Sequence, residues 1–265
     1  MDQSQGLSER HSQLHNEGRH LCQDSNLSEA SLKDAIPEVY LYASQKINDL
    51  GGKCIHESNI SLYDCQLAFN KIGGPTPNEN NRRVSMKPDG GVIFAIFNNT
   101  YYPVFIGEDK VQGTNDNRYN NGLNKQATGN AIERAGKNLR GEEMLCCHMG
   151  IFPSVIFASG CDFHHTETIA KRIEMMNYGY PNYYIEMDSS VNNDILDSKV
   201  NNILNNINIT KPLNTYSKAS VFVKAHKYDI MPHNSSLWRK KDIILICKKV
   251  IDLSIEYLIN NVIHS

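Results

Sequence analysis

Two neighbouring hydrophobic stretches of the chain predict a β-hairpin. Residues 92–97 and 101–107 are rich in β-branched and aromatic side chains, which favour strands. Between them, Asn98-Asn99 can adopt the left-handed backbone conformations of a tight turn. If the two asparagines form the turn, Phe97 lies opposite Thr100. We therefore predict an antiparallel pair of strands here.

The rest of the chain alternates between helical and extended patterns. Apolar residues at helical spacing predict helices over residues 37–50, 62–71, 129–140, 166–177 and 238–263. Apolar runs predict strands over residues 151–159, 182–187 and 220–225. Residues 189–210 are rich in asparagine and give no prediction. The alternation indicates an α/β protein with a mixed central β-sheet flanked by helices.

The first part of the chain differs from the rest in composition. Residues 1–33 are polar with few large apolar side chains, and we expect a mobile N-terminal arm there. Residues 34–265 are long enough for a single domain. The net charge of the whole chain is −2, and the first fifty residues hold more acids than bases. Any surface that binds phosphate is therefore expected downstream.

The cysteine content and the hydropathy indicate the cellular environment that we expect for the protein. Seven cysteines, an odd number without a Cys-x-x-Cys pair, do not form a disulfide framework and fit a reducing cytoplasm. Cysteine and histidine residues flank the run at 151–159, but their adjacent pairs do not reproduce the spacing of a zinc site. The sequence shows no transmembrane run and no signal peptide, so we expect no membrane partner and a cytoplasmic location.

Counting outward from the hairpin turn in antiparallel register brings two carboxylates together. Asp89 then lies opposite Glu108, and Lys110 shares a face with Glu108 while the Asp109 side chain points away. Like charges placed opposite one another repel, and a divalent cation between them would remove the conflict. A lysine beside such a pair suits phosphodiester hydrolysis with a metal-activated water. A surface hairpin with solvated charges is the alternative interpretation.

Five segments in this order resemble segments of the EcoRI-like type II restriction endonucleases, a family within the PD-(D/E)xK nucleases. They are SMKPDGG (85–91), EDKVQG (108–113), GNAIERAGKN (129–138), FPSVIF (152–157) and RIEMMNYGYP (172–181). The resemblance covers roughly residues 80–258 and implies a restriction-endonuclease-like core. It implies that Asp89, Glu108 and Lys110 are catalytic, and that Asp89, Glu108 and Asp109, the last through its carbonyl, hold Mg²⁺.

The helix predicted over residues 129–140 has a polar face whose composition suits a DNA major groove. Asn130, Arg134 and Lys137 lie on that face, although such faces are usually only solvated. The resemblance implies that the helix start and the chain leading into it read AATT. The residues that it implicates in DNA binding are Ala127, Asn130, Ala131 and Arg134, with Glu133 as an orienting group. Lys137 is assigned to phosphate, and Arg172 is open to either a DNA contact or an ion pair on the helix surface.

The resemblance implies a type II restriction endonuclease that binds double-stranded DNA as a homodimer, because a palindrome has two-fold symmetry. It implies hydrolysis that leaves 5′-phosphate ends and a four-base 5′ overhang, together with a cognate DNA methyltransferase that protects the host. Two alternatives stay open: a structure-directed repair or recombination nuclease of the same fold, and a catalytically inactive DNA-binding protein.

Overall fold

A computed structural model describes residues 22–112, 122, 130–164, 167–177, 183–211, 218–227 and 236–263, with the backbone alone at residues 22–29, 130–131 and 167–170. The helices are α1 (Cys22–Asp49), α2 (Leu62–Asn70), α3 (Asn130–Leu145), α4 (Glu167–Met176), α5 (Asn193–Asn206) and α6 (Lys240–Leu258). The strands are β1 (Lys53–Glu57), β2 (Ile60–Ser61), β3 (Ser85–Met86), β4 (Gly91–Phe97), β5 (Thr100–Val111), β6 (Ser154–Ser159), β7 (Tyr183–Met187) and β8 (Ser220–His226). Short 3₁₀ turns lie at Glu79–Arg83 and Cys161–Phe163, and a π-helical turn at Ile259–Ile263 extends α6.

Six of the strands form one mixed sheet in the order β1-β4-β5-β6-β8-β7. The pairs β1–β4 and β4–β5 are antiparallel, whereas β5–β6, β6–β8 and β8–β7 are parallel. Parallel neighbours need crossover connections, and α3 is the helix between β5 and β6. The prediction of an α/β protein with a mixed central sheet flanked by helices is confirmed.

Two hydrophobic cores cover the two faces of the sheet. Buried residues of α1, α5 and α6 form one core, in which Leu32, Val200 and Val250 are at most 1 % exposed. Residues of α2, α3 and α4 form the other, which contains Ile132 and Ile173. The molecule is thus three layers deep, and α3 lies on the face of the sheet opposite α1 and α6.

The first helix is longer than the sequence pattern predicted. It begins at Cys22 instead of residue 37, so Pro37 lies inside it. Leu32 is fully buried and continues the apolar stripe of Ala35 and Val39 in the N-terminal direction. Residues 22–33, which we expected to belong to a mobile arm, are therefore helical, and residues 1–21 lie outside the described part of the chain.

Helix α5 is an element that the sequence pattern did not predict. Asn192 caps its N-terminus by accepting a hydrogen bond from the main-chain nitrogen of Ile195. Leu196, Val200 and Ile203 are buried at helical spacing. The exposed asparagines of this segment obscure that stripe in the sequence.

None of the helices within the described ranges combines the length and the apolar character needed to cross a membrane.

Candidate active site

The predicted hairpin is present, and its turn has the predicted geometry. Asn98 and Asn99 have φ angles of 49° and 59°, and Phe97 pairs with Thr100. Asparagine adopts this left-handed region more readily than most residues. The sequence-based prediction is confirmed for the turn and for the four residue pairs nearest to it.

Further from the turn, the predicted register is wrong by one residue. Phe94 pairs with Pro103, but the next residue of β4, Ile93, pairs with Phe105, so Val104 is the extra residue of a β-bulge. Pro103 has no N–H group to donate to the ladder, which is a local reason for irregular pairing here. Beyond the bulge Gly91 pairs with Gly107. Asp89 is therefore not the direct partner of Glu108.

Asp89 reaches the site through a turn instead of a strand. The N–H group of Gly91 donates to the carbonyl of Pro88 at 3.0 Å, and Gly91 has a φ angle of +67°. A Cβ atom on Gly91 would lie 2.5 Å from the carbonyl oxygen of Glu57, so glycine is required on two grounds. The turn places the main-chain nitrogen of Asp89 3.0 Å from Oε2 of Glu108.

The Lys110 side chain joins the two carboxylates. Its Nζ lies 2.6 Å from Oε1 of Glu108 and 3.0 Å from Oδ2 of Asp89. It also donates to the main-chain oxygen of Asp109 at 2.8 Å, and the main-chain nitrogen of Asp109 donates to Asp89 Oδ2 at 3.1 Å. The structure thus brings together Asp89, Glu108 and Lys110, with the main chain of Asp109.

Burial sets the electrostatics of this cluster. Glu108 is 3 % exposed, and this burial raises its pKa; the charge of Lys110 opposes the effect and the charge of Asp89 adds to it. Burial alone would lower the pKa of Lys110, but Glu108 and Asp89 outweigh it and the pKa is raised. Near neutral pH the lysine is therefore an ammonium group that donates hydrogen bonds.

A second buried carboxyl lies on α3 near this cluster. Glu142 is 1 % exposed, and burial raises its pKa to about 8. The hydroxyl of Ser154, on β6, donates to its Oε2 and opposes that shift, whereas the charge of Glu108 adds to it. Within the described part of the chain, its Oε1 has no hydrogen-bond partner. Glu142 is thus a neutral carboxylic acid at pH 7.

The oxygen atoms around Lys110 fit a hard divalent cation. Oxygens of Asp89, Glu108 and the Asp109 main chain already surround one cationic group at 2.6 to 3.0 Å, and Mg²⁺ takes such ligands together with waters. The described residues contain no group of three or more His, Cys, Asp or Glu side chains that could hold a metal ion. A metal here would therefore rely on two carboxylates, one carbonyl and solvent or substrate oxygens.

A comparison with known protein families identifies the family of the chain. The family model described as restriction endonuclease EcoRI matches residues 80–265. The chain belongs to the EcoRI restriction endonuclease family. No individual curated protein matches the sequence significantly. The matched range includes β4, β5 and α3, and with them the three-residue cluster.

In this member of the EcoRI family, α3 begins at Asn130, close to the predicted start. Ile132, Ala135 and Leu139 form its buried face, while Glu133, Arg134 and Lys137 are exposed. For Asn130 and Ala131 the structure describes only the backbone, as part of α3, and Ala127 lies outside the described residues. The exposed side chains are available to a ligand on the side of α3 away from the sheet.

The ion pair that we considered for Arg172 is present. Its Nη1 lies 3.1 Å from Oε1 of Glu133, and the two side chains are 43 % and 64 % exposed. This contact links α4 to the first turn of α3. An exposed ion pair of this kind contributes little stability, so a ligand can draw either partner away.

Two residues of the site, Asn138 and Glu142, had no role assigned from the sequence. Asn138 is the last residue of the motif at 129–138, and Glu142 lies just beyond it. Asn138 donates through Nδ2 to Oε1 of Glu108 at 2.6 Å. Glu142 lies on the buried stripe of α3, at helical spacing from Ala135 and Leu139. In the sequence, a glutamate at a position of an apolar helical stripe indicates a buried and neutral carboxyl group.

Proposed function

We propose that this protein is a type II restriction endonuclease that hydrolyses double-stranded DNA at a short palindrome with an AATT core, using Mg²⁺. The observation that carries the proposal is the convergence of Asp89, Glu108 and Lys110 on one point within the matched range of the EcoRI family. In metal-assisted phosphodiester hydrolysis, two carboxylates and a main-chain oxygen can hold the metal, and a lysine can position the water.

The roles follow from the contacts of each group. Asp89 and Glu108, with the main-chain oxygen of Asp109, would hold the cation. When bound, Mg²⁺ supplies an acidified water and neutralises charge on the scissile phosphate. Lys110 holds a proton on Nζ between the two carboxylates and can orient a water or a phosphate oxygen by hydrogen bonding. We assign the Asp109 carboxylate no part in the reaction, because side chains alternate along a strand and Asp109 follows Glu108 directly on β5.

We assign recognition of the DNA sequence to the start of α3. Asn130 and Arg134 would contact base edges, with Ala127 and Ala131 against the bases, because a helix that enters the major groove brings its first turn closest to them. Glu133, which pairs with Arg172, would orient these contacts. Lys137, exposed one turn further along, would bind phosphate.

The assembly and products follow from symmetry. A palindrome requires one active site per strand, so the working unit would be a homodimer with a two-fold axis. Cleavage would leave 5′-phosphate ends with a four-base 5′ overhang. A cognate methyltransferase acting on the same site would protect the host DNA, without needing to bind the nuclease.

A plasmid assay tests the proposal. Purified protein is incubated with supercoiled plasmid and Mg²⁺, and the ends of the products are sequenced. We expect discrete fragments whose ends share one AATT-containing palindrome and a four-base 5′ overhang. Cleavage at branched or damaged structures without a shared sequence would favour a repair nuclease, and specific binding without any cleavage would favour an inactive DNA-binding protein. Asp89→Asn protein, prepared identically, controls for contaminating nucleases.

A further inference from the structure

Helix α3 carries the proposed reading residues and also touches a proposed metal-binding carboxylate. Asn138 donates from Nδ2 to Oε1 of Glu108 at 2.6 Å. With 3.6 residues per turn, Asn138 follows Arg134 by about one turn and Asn130 by about two turns of the same helix. One rigid element therefore connects the point where bases would be read to the point where the phosphodiester would be cut.

Asn138 differs from the other groups that hold Glu108. Oε2 of Glu108 accepts from the main-chain nitrogen of Asp89, and Oε1 also contacts Lys110. Both of those donors come from the hairpin and the turn that precedes it. Among the hydrogen bonds recorded for the described residues, the bond from Asn138 is the one that reaches Glu108 from another layer of the fold.

The packing of α3 on the sheet determines the position of the Asn138 amide. One turn beyond Asn138, Glu142 accepts a hydrogen bond from Ser154 on β6. Ala135 and Leu139 are buried on either side of Asn138 in the sequence. Arg134 and Lys137 lie on the exposed face of the same helix, where a ligand can contact them. A small displacement of α3 by DNA would move the Asn138 amide relative to Glu108.

We propose that Asn138 is a positioning residue that couples sequence reading by α3 to the orientation of the Glu108 carboxylate. The inference rests on the proposed function. Asn138 adds to Oε1 of Glu108 a donor that moves with α3, whereas the donors from Asp89 and Lys110 do not. A shift of α3 therefore changes the set of hydrogen bonds that orients the carboxylate. At a correct site, the base contacts at the start of α3 hold the helix in position, and Glu108 is held in its productive orientation. At a wrong base pair α3 is displaced, and the carboxylate loses that constraint.

An amide suits this role better than a charged side chain. It donates a hydrogen bond to the carboxylate without cancelling the negative charge that a metal ion needs. A carboxylate at position 138 would lack the donor and would add a third negative charge beside Asp89 and Glu108. The same position therefore offers an isosteric substitution that removes the bond without creating a cavity.

The experiment compares Asn138→Ala and Asn138→Asp with a control on the same helix, Arg140→Ala, whose side chain is 71 % exposed and pairs with Glu143. Single-turnover cleavage rates and equilibrium binding without divalent ions are measured on two duplexes. One duplex contains the site found in the plasmid assay, and the other differs from it by one base pair. Thermal unfolding of each variant checks the fold, and Asn138→Asp serves if the alanine variant unfolds.

We expect Asn138→Ala to bind the two duplexes within about threefold of the wild type, and Asn138→Asp to bind both more weakly by the same factor, because its added charge repels phosphate in any sequence. Their cleavage of the correct site should fall by roughly 10- to 100-fold, the effect of losing one hydrogen bond to a charged group. The ratio of cleavage rates between the two duplexes should also fall towards the ratio of their binding constants. A change of rate that is equal on both duplexes, or rates equal to those of Arg140→Ala, would overturn the inference. If the wild type cleaves no sequence at all, the proposed function has failed instead.

Discussion

The Nζ atom of Lys110 lies 2.6 Å from Oε1 of Glu108, the shortest contact in a cluster where the same ammonium also touches Asp89 and the carbonyl of Asp109. Lys110 therefore offsets one of the two negative charges on the carboxylates that we assign to the metal. The raised pKa of Lys110 has this origin, since Glu108 and Asp89 outweigh the cost of burying the ammonium. The cluster of Asp89, Glu108 and Lys110 keeps one net negative charge, which favours a cation.

The first prediction separates Lys110 from its neighbour. Lys110→Met keeps the length of the side chain but removes the donor, and we expect cleavage to slow by about 10²-fold or more. Asp109→Asn keeps the main-chain carbonyl and should reduce cleavage only mildly. Single-turnover rates with Mg²⁺ are the measurement. If Asp109→Asn were the more damaging change, the face assignment of β5 would be inverted.

Lys110→Met also has an effect that needs no DNA. Without the ammonium, the carboxylates of Asp89 and Glu108 face each other with no cation between them, which destabilises the folded state. We expect Mg²⁺ to raise the unfolding temperature more in the variant than in the wild type, because the ion replaces the missing charge. Equal shifts in the two proteins would count against a metal site at these oxygens.

The second prediction concerns the two carboxylates. Asp89→Asn or Glu108→Gln removes a metal ligand, and the loss of several kcal/mol of charge stabilisation should lower cleavage by about 10³-fold or more. DNA binding should survive, and at low salt it should tighten because one repulsive charge is gone. Glu38→Gln is a matched control, since Glu38 pairs with Lys248 at the surface of the opposite layer. Near-normal cleavage by either variant would refute the metal-site assignment.

The hairpin shows how far sequence reasoning reaches. The turn at Asn98-Asn99 and the first residue pairs follow from local conformational preferences, which a sequence displays directly. The bulge at Val104 does not, because it depends on how Pro103 fits between neighbouring strands. Asp89 nevertheless joins Glu108 and Lys110, since the turn at residues 88–91 compensates for the shifted register.

Tertiary packing explains the remaining differences. Helix α1 begins at Cys22, and its Leu32 is buried in the core. Leu32 packs there against elements distant in sequence, and a local sequence pattern does not predict such contacts. The bond between Asn138 and Glu108 joins residues 30 positions apart. Motif resemblance placed both residues in quoted segments, but only the packing of α3 on the sheet reveals that they touch.

The third prediction concerns what α3 reads. Replacing Asn130 or Arg134 with alanine should cost roughly 1 to 3 kcal/mol of discrimination against wrong base pairs, because each side chain would contact base edges. Replacing Lys137 should weaken binding to all sequences alike and reduce the salt slope by about one, as expected of a phosphate contact. Competition binding to AATT duplexes and their single-base variants provides both quantities. Should Asn130→Ala retain full preference for AATT, this helix is not the reading element.

The last prediction uses Glu142, whose pKa rises from an ordinary value of 4.5 to about 8 on burial. The folded protein keeps this proton up to about pH 8, whereas the unfolded chain releases it above about pH 4.5. The unfolded state therefore binds fewer protons between those values, and the stability contributed by neutral Glu142 is lost as the pH rises, by roughly 1.4 kcal/mol per unit. Glu142→Gln keeps the shape and the acceptor for Ser154 but cannot ionise. Urea unfolding of both proteins from pH 5 to 9 isolates the effect, because other titrating groups cancel in the difference. We expect the variant to gain stability relative to the wild type as the pH rises, with the gain levelling off above about pH 8. Parallel profiles would mean that Glu142 is already charged in the folded protein.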